Sequence, residues 1–523
     1  MNRFVFTIAI APLLMFAQRS CADNRPNIIV IVCDDMGYSD LGCFGGEIAT
    51  PHLDRLAAGG LRLTDFHNNA KCSETRASLL TGLWHQQSKN LRRPGHVTLA
   101  EVLGSAGYST MMSGKWHVAG LPNDRGFERY FGFLSGAINF FTGRDWQGGE
   151  NLMRLDRKPY EVPDDFYSTD AFTDYAVEFL DQARQKDRPY FLYLAHNAPH
   201  FPLHAPESDI AKYRGTYDSG WDVVREKRFA RMKELGLVDD SATISRRDPK
   251  VEPFAELSSS QKRFLLPMME VYAAMVDRLD QNIGRLLRDL EKHDELENTV
   301  ILFFSDNGAC PYQRLRSKTT IPGPAESDIA YDARWANMCN TPLRLYKQYA
   351  HEGGTATPMI VHWPKGIASP GSISAETHHI VDVMPTVVQL AGASYPAERN
   401  GVTIAPMEGI SMVTTIRGRK TSSRPPIFWE FAANHSVRDG KWKLVAERGK
   451  DWELYDLKQD RSETRDLVQQ HPQVVKRLAK AYDDWAKRVG TKTHKACLKT
   501  KPSSQSQLFD LEKIGSTTAG DDS

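Results

Sequence analysis

At 523 residues the chain exceeds the ~100–200 residues of an ordinary single domain, so one large unit with a smaller one appended is expected. Hydrophobic residues at 41% and charged residues at 25% suit a globular protein, and 66 Lys and Arg against 65 Asp and Glu leave no basic surplus for nucleic acid. After the first residues, no segment reaches the ~20 continuous apolar residues of a membrane span, which argues against stable membrane insertion.

Residues 1–22 read as an export signal: Arg3 gives a basic start, Phe4 to Ala17 an apolar stretch, and Ser20-Cys21-Ala22 small residues for cleavage. The mature protein is therefore expected in the periplasm or outside the cell. Three apolar runs then end abruptly in polar residues. Asn27 to Cys33 leads into Asp34-Asp35, Tyr190 to Ala195 into His196-Asn197, and Val300 to Phe304 into Ser305-Asp306-Asn307-Gly308. Runs without alternation predict strands buried on both faces, as in a mostly parallel sheet between helices. Ligands bind beyond the carboxyl ends of such strands, where these polar residues stand.

Helical spacing predicts helices over Ser168 to Arg184 and Gln261 to His293, which gives an α/β layered domain over 24–400. The charged stretch from Ser208 to Pro253 reads as an insertion across the surface. From 401 to 495, short strand-like runs around the Asp439-Gly440 turn, followed by an amphipathic Gln473 to Arg488, predict a small antiparallel sheet with one helix. The remainder, 496–523, reads as a flexible tail. With Cys21 removed and Cys72 used chemically, five scattered cysteines (Cys33, Cys43, Cys310, Cys339 and Cys497) make no disulfide framework.

Asp34, Asp35, Asp306 and Asn307 offer only oxygen donors, which suit a hard cation better than zinc. Cys72 precedes a short helical pattern, so a helix N-terminus would face its sulfur. His196, His200 and His204 repeat at four-residue spacing, but Pro199, Pro202 and Pro206 break any helix, which leaves a loop contributing His200 alone.

Six blocks in order carry a resemblance to the type I, formylglycine-dependent sulfatases, arylsulfatase-like members of the alkaline-phosphatase-like superfamily. They are Asp34-Asp35, the run from Cys72 through Arg76 to Gly82, Gly114 to His117, Asn197 to His200, Ser305 to Gly308, and Lys347 followed by Glu352-Gly353-Gly354. The resemblance implies a large mixed, mostly parallel sheet sandwiched by helices and a Ca²⁺ ion held by Asp34, Asp35, Asp306, Asn307 and the group made from Cys72. It also implies a formylglycine-generating enzyme as maturation partner, which converts Cys72 to 3-oxoalanine (Cα-formylglycine). One hydroxyl of the aldehyde hydrate would attack sulfur, and the second would expel sulfate, an exit that a simple alcohol lacks. Arg76 would stabilise the hydrate, and Lys115 and Lys347 would contact the sulfate. His117 would serve as base and His200 as acid at the departing oxygen, two roles that could exchange. Glu74 departs from the pattern, standing where the modification signal has proline.

The stretches Gly132 to Asn139, Trp335 to Asn337 and Asn340 to Pro342 resemble sulfatases of polysaccharide-degrading systems, which makes a sulfated carbohydrate the expected substrate. His435 is a candidate sugar contact, with Arg438 beside the pocket. Two other readings stay open: a phosphodiesterase or phosphonate monoester hydrolase of the same superfamily, or a non-catalytic glycan-binding homologue if Cys72 is not converted.

Overall fold

A computed structural model describes residues 25–145, 150, 152–317, 319–421, 423–501 and 508–512. The expected export signal lies outside the described residues, as does most of the expected tail. The helix His494–Leu498 runs into the start of that tail, and Phe509 within it packs edge-on against Phe264 at 5.2 Å.

The predicted apolar runs form strands with nearly the expected bounds. In chain order the main strands are β1 (Asn27–Cys33), β2 (Leu61–His67), β3 (Ser109–Lys115), β4 (Arg129–Phe133), β5 (Met153–Leu155), β6 (Lys158–Pro159), β7 (Tyr190–Ala195) and β8 (Thr299–Ser305). A two-stranded ribbon, β9 (Arg314–Leu315) and β10 (Ile329–Ala330), precedes β11 (Ala356–His362) and β12 (Ser372–Ser374). The large sheet runs β12-β2-β11-β8-β1-β7-β3-β4-β5-β6.

β1 pairs in parallel with both β7 and β8, and β3 with both β7 and β4, whereas β11 is antiparallel to β8 and β2. Consequently β1, β2, β3, β7 and β8 all end at one edge, and the antiparallel β11 begins there. The residues after five strands, together with those before β11, must converge on one place.

Both faces of the sheet are covered. Ile29 and Ile31 pack on one side with the helices Ser168–Arg184 and Ser259–Lys292; Ile28, Val30 and Val32 pack on the other with Cys72–Thr81 and Leu99–Ser105. This two-sided burial explains the unbroken apolar run of β1.

The stretch 208–253 differs from the expectation of a surface covering. Its helix Gly220–Glu234 buries Trp221 edge-on against Trp335 at 5.3 Å, and Arg228 there pairs with Asp40 (2.7 Å) and Glu47 (2.7 Å). Trp221 and Tyr217, both packed on Trp335, and a buried arginine attach a segment whose overall composition is polar.

Toward the C-terminus, the strands Ile427–Phe431, Asn434–Asp439, Trp442–Ala446 and Glu453–Asp456 form an antiparallel sheet, and the helix Pro472–Val489 packs on it through Leu478, Tyr482 and Trp485. Buried ion pairs fasten this unit to the large one: Arg438 grips Asp65 with two bonds of 2.7 and 2.6 Å, and Lys443 meets Glu352 at 2.8 Å. The cysteines among the described residues are all unpaired.

Candidate active site

Asp34 and Asp35 follow β1, Asp306 and Asn307 follow β8, and the segment after β2 leads through Asn68 to Cys72, the first residue of the helix Cys72–Thr81. Lys115 is the last residue of β3, His200 lies in the loop after β7, and Lys347 lies shortly before β11. The fold therefore gathers every block expected from the sequence at one edge of the sheet. Gly114 has φ 113°, and a Cβ there would stand 2.0 Å from the Ala195 carbonyl oxygen, so only glycine lets β3 press on β7 and bring Lys115 inward. Asp35 (φ 69°) and His117 (φ 55°) sit in the left-handed region, an uncommon conformation that clusters at functional sites.

At the centre, Asp34 and Asp35 each give one oxygen to a lysine and keep the other unpartnered among the described residues, whereas Asp306 gives one oxygen to Arg76 and the other to the Asp35 amide (3.5 Å). Lys115 donates to Asp34 Oδ2 at 2.5 Å, and Asp34 Oδ1 has no partner. Lys347 and Asn307 Nδ2 (2.7 Å) both donate to Asp35 Oδ1, leaving Asp35 Oδ2 and Asn307 Oδ1 unpartnered. Arg76 is fully buried and lies against Asp306 Oδ2 through Nε (2.9 Å) and Nη2 (2.7 Å), while its Nη1 reaches the Lys115 carbonyl (2.8 Å) and the Tyr193 hydroxyl (3.3 Å). Ligand atoms of Asp34, Cys72 and Asp306 fall within 4.8 Å of one another, as do those of Asp34, Asp35 and His200. Buried oxygens without donors are costly unless something positive meets them, so this set fits a hard divalent cation.

The charges shift the acidities accordingly. Burial works to raise Asp34, but Lys115 and its neighbours bring it down to about 2. Burial likewise opposes ionisation of Cys72, and the ammonium groups of Lys115, Lys347 and Lys71 overcome it, so the thiol lies below its ordinary value. Burial pushes His200 down to about 3 against the pull of Asp35 and Asp34. Burial also places His117 well below its usual range, with Lys115, Lys71 and Arg76 acting in the same direction. Both imidazoles are thus neutral at pH 7.

His200 Nδ1 donates to the Phe201 carbonyl (2.6 Å), which directs Nε2 toward Asp35 Oδ2 at 3.4 Å. Its two repeat partners face elsewhere. His204 is held by the Phe140 amide (3.3 Å) and the Ser327 carbonyl (2.7 Å), and His196 is buried without a hydrogen-bond partner among the described residues.

Two residues expected near a sugar are placed apart from this centre. His435 is fully buried in the C-terminal sheet, bonded to the Ala433 carbonyl (2.9 Å) and His494 (2.8 Å) and packed on Trp452 at 4.5 Å. Arg438 is consumed by Asp65. The strand alternation that sends His435 inward depends on a sheet register that the short run did not reveal. Asn340 acts as a brace: its side chain reaches the Leu345 and Gly353 carbonyls (3.0 and 2.9 Å) and holds the turn that carries Lys347. Sequence reasoning passed over Lys71, Tyr193, Tyr312 and Gln348 around the centre. Lys71 alone had a signal, its position next to Cys72.

Comparison with known proteins agrees with this arrangement. Residues 26–393 match the family model described as Sulfatase, and residues 344–488 match that described as N-sulphoglucosamine sulphohydrolase, C-terminal. An arylsulfatase of Klebsiella aerogenes is 32% identical over 450 residues, covering 79% of this chain and 96% of that protein. An N-acetylglucosamine-6-O-sulfatase of Bacteroides thetaiotaomicron is 27% identical over 528 residues, covering 87% and 86%. Among solved structures, that of Ps i-CgsB superposes with a TM-score of 0.67 at 25% identity, covering 95% of this chain and 98% of that one.

Proposed function

The chain belongs to the sulfatase family and is a sulfuric ester hydrolase of the alkaline-phosphatase-like superfamily; from that premise we propose that it removes sulfate from a sulfated carbohydrate, with a nucleophile made from Cys72. The carbohydrate is supported by the relative named as an N-acetylglucosamine-6-O-sulfatase and by the second family model. The observation that carries the mechanism is the trio of unpartnered buried oxygens, Asp34 Oδ1, Asp35 Oδ2 and Asn307 Oδ1, beside a cysteine at the start of a helix.

Asp34, Asp35, Asp306 and Asn307 would hold a Ca²⁺ ion together with the group derived from Cys72. Such an ion supplies Lewis-acid polarisation of a sulfate oxygen and favours the ionised nucleophile. The formylglycine-generating enzyme would act on Cys72 in the unfolded chain, and Glu74 is the residue that this recognition would have to accommodate. Lys115 and Lys347 point their ammonium groups at the same place and neutralise charge on the transferring group's oxygens. Arg76 holds Asp306 and the Lys115 backbone in position. His200, neutral at rest with its proton on Nδ1 and committed to Phe201, would take up a second proton on Nε2 from solvent and pass it to the departing sugar oxygen, and neutral His117 accepts a proton near Cys72.

The test is the mass of the Cys72 peptide from the native host, together with hydrolysis of paired aryl sulfate and aryl phosphate esters and a panel of sulfated sugars. Conversion of Cys72, preference for sulfate, and loss of turnover in Cys72→Ala and Cys72→Ser are expected. Turnover retained in Cys72→Ala overturns the mechanism.

A further inference from the structure

Lys71 differs from the other two lysines of the centre. Lys115 and Lys347 are fully buried, and each is paired with a carboxylate. Lys71 is half-buried, in extended backbone (φ −153°, ψ 137°) immediately before Cys72, and its ammonium makes no ion pair or hydrogen bond among the described residues. It is therefore the partly solvent-open lysine immediately beside the nucleophile.

No carboxylate among the described residues pairs with it, and the negative charge nearest to it belongs to the nucleophile itself. Cys72 is the strongest attraction that Lys71 feels, and Lys347 and Tyr312 both act on it more strongly than Glu74 does. The Glu74 carboxylate is occupied elsewhere, accepting from Ser73 Oγ (2.6 Å) and Asn90 Nδ2 (3.4 Å), with His85 as its main positive neighbour. In the centre itself, Arg76, Lys115 and Lys347 balance Asp306, Asp34 and Asp35 one for one. A divalent cation would add two charges, met by one from the ionised nucleophile and one from a sulfate monoester. The charge of Lys71 is left over.

We propose that Lys71 is a specificity-determining residue that binds a second anionic group of the substrate, a carboxylate or a further sulfate, close to the scissile ester. This rests on the reading of the site as a sulfatase centre acting on sulfated carbohydrate and narrows that substrate to one bearing more than one negative charge. A rigidly held anion near the ester would also fix the substrate's orientation.

Two probes test it: phenyl sulfate and its 3-carboxyphenyl counterpart, with rates normalised to the converted fraction of Cys72 measured by mass. The wild type is expected to favour the carboxylated ester. Lys71→Gln should lower the ratio of kcat/KM for the carboxylated over the uncharged ester roughly tenfold, and Lys71→Arg should restore most of it. Calorimetric binding of both esters to Cys72→Ala, alone and combined with Lys71→Gln, gives the same comparison without turnover and without dependence on conversion. An unchanged ratio in Lys71→Gln, or wild-type indifference to the carboxylate, overturns the proposal. Inactivity of the wild type on every sulfated sugar, with the aryl pair still discriminated, would instead overturn the carbohydrate reading and leave the role of Lys71 standing.

Discussion

Trp429 of the C-terminal sheet donates its indole N–H to the Asn68 carbonyl at 2.7 Å, which ties the appended unit to the segment that leads into Cys72. Trp429 is buried, with His67 and His379 packed edge-on at 5.5 and 5.6 Å. Asn68 itself caps the following turn, its side-chain oxygen accepting from the Ala70 amide (2.8 Å). The C-terminal unit thus helps to shape the approach to the nucleophile.

Replacing Trp429 with Phe keeps the aromatic packing and leaves the Asn68 carbonyl without this donor. A loss of about 1–3 kcal/mol in unfolding free energy is expected, with kcat falling more than KM rises. Denaturant titration and steady-state kinetics check both. Unchanged kcat would mean that the bond only fastens the two units.

Arg76 carries the heaviest structural load in the centre, because its removal strands Asp306 and the Lys115 carbonyl in a dry interior. Arg76→Met should cost about 3–5 kcal/mol, the range for breaking one side of a buried ion pair. Chemical denaturation of the variant measures it.

Chelation tests the cation. Treatment with EGTA should abolish turnover and lower Tm, since Asp34, Asp35 and Asp306 would then repel one another with less compensation, and adding Ca²⁺ should restore both. In Asp306→Asn the Ca²⁺-dependent gain in Tm should shrink. Calorimetric melting with and without Ca²⁺ reads this independently of activity.

The two histidines separate by leaving group. If His200 protonates the departing oxygen, His200→Gln should slow alkyl and sugar sulfates at least tenfold more than 4-nitrophenyl sulfate, whose leaving group needs no proton. His117→Gln should slow both classes alike. The opposite pattern would exchange the two roles.

One pH effect lies away from the centre. Asp280 accepts the His52 and Leu53 amides (3.1 and 2.7 Å) at the start of the helix Pro51–Ala58, yet burial pushes its carboxyl up to about 7. A carboxyl whose folded value lies above the unfolded ~3.9 binds its proton more tightly when folded, so stability is lost as pH rises through the window from about 4 to 7. Asp280→Asn lacks that loss, so its stability relative to wild type should rise across this window, by at most about 1.4 kcal/mol per pH unit. Parallel melts from pH 4 to 8 show it, and parallel curves would refute it.

Much of the molecule was legible in the chain because the relevant signals are local. The run Asn27–Cys33 is apolar at nearly every position because both its faces are buried, and the helix Ser168–Arg184 repeats its apolar residues at helical spacing. The polar groups of the centre stand directly after those strands, so their chemistry could be read before their geometry. What only tertiary structure decided are relations between distant residues. Which oxygens of Asp34 and Asp35 stay open depends on Lys115 and Lys347, hundreds of positions away in the latter case. The register of the C-terminal sheet turns His435 into its interior, and the reach of Asp65 consumes Arg438. Lys71 was visible from the start beside Cys72, but its uncompensated charge was not, because compensation is a sum over neighbours that the fold alone brings together.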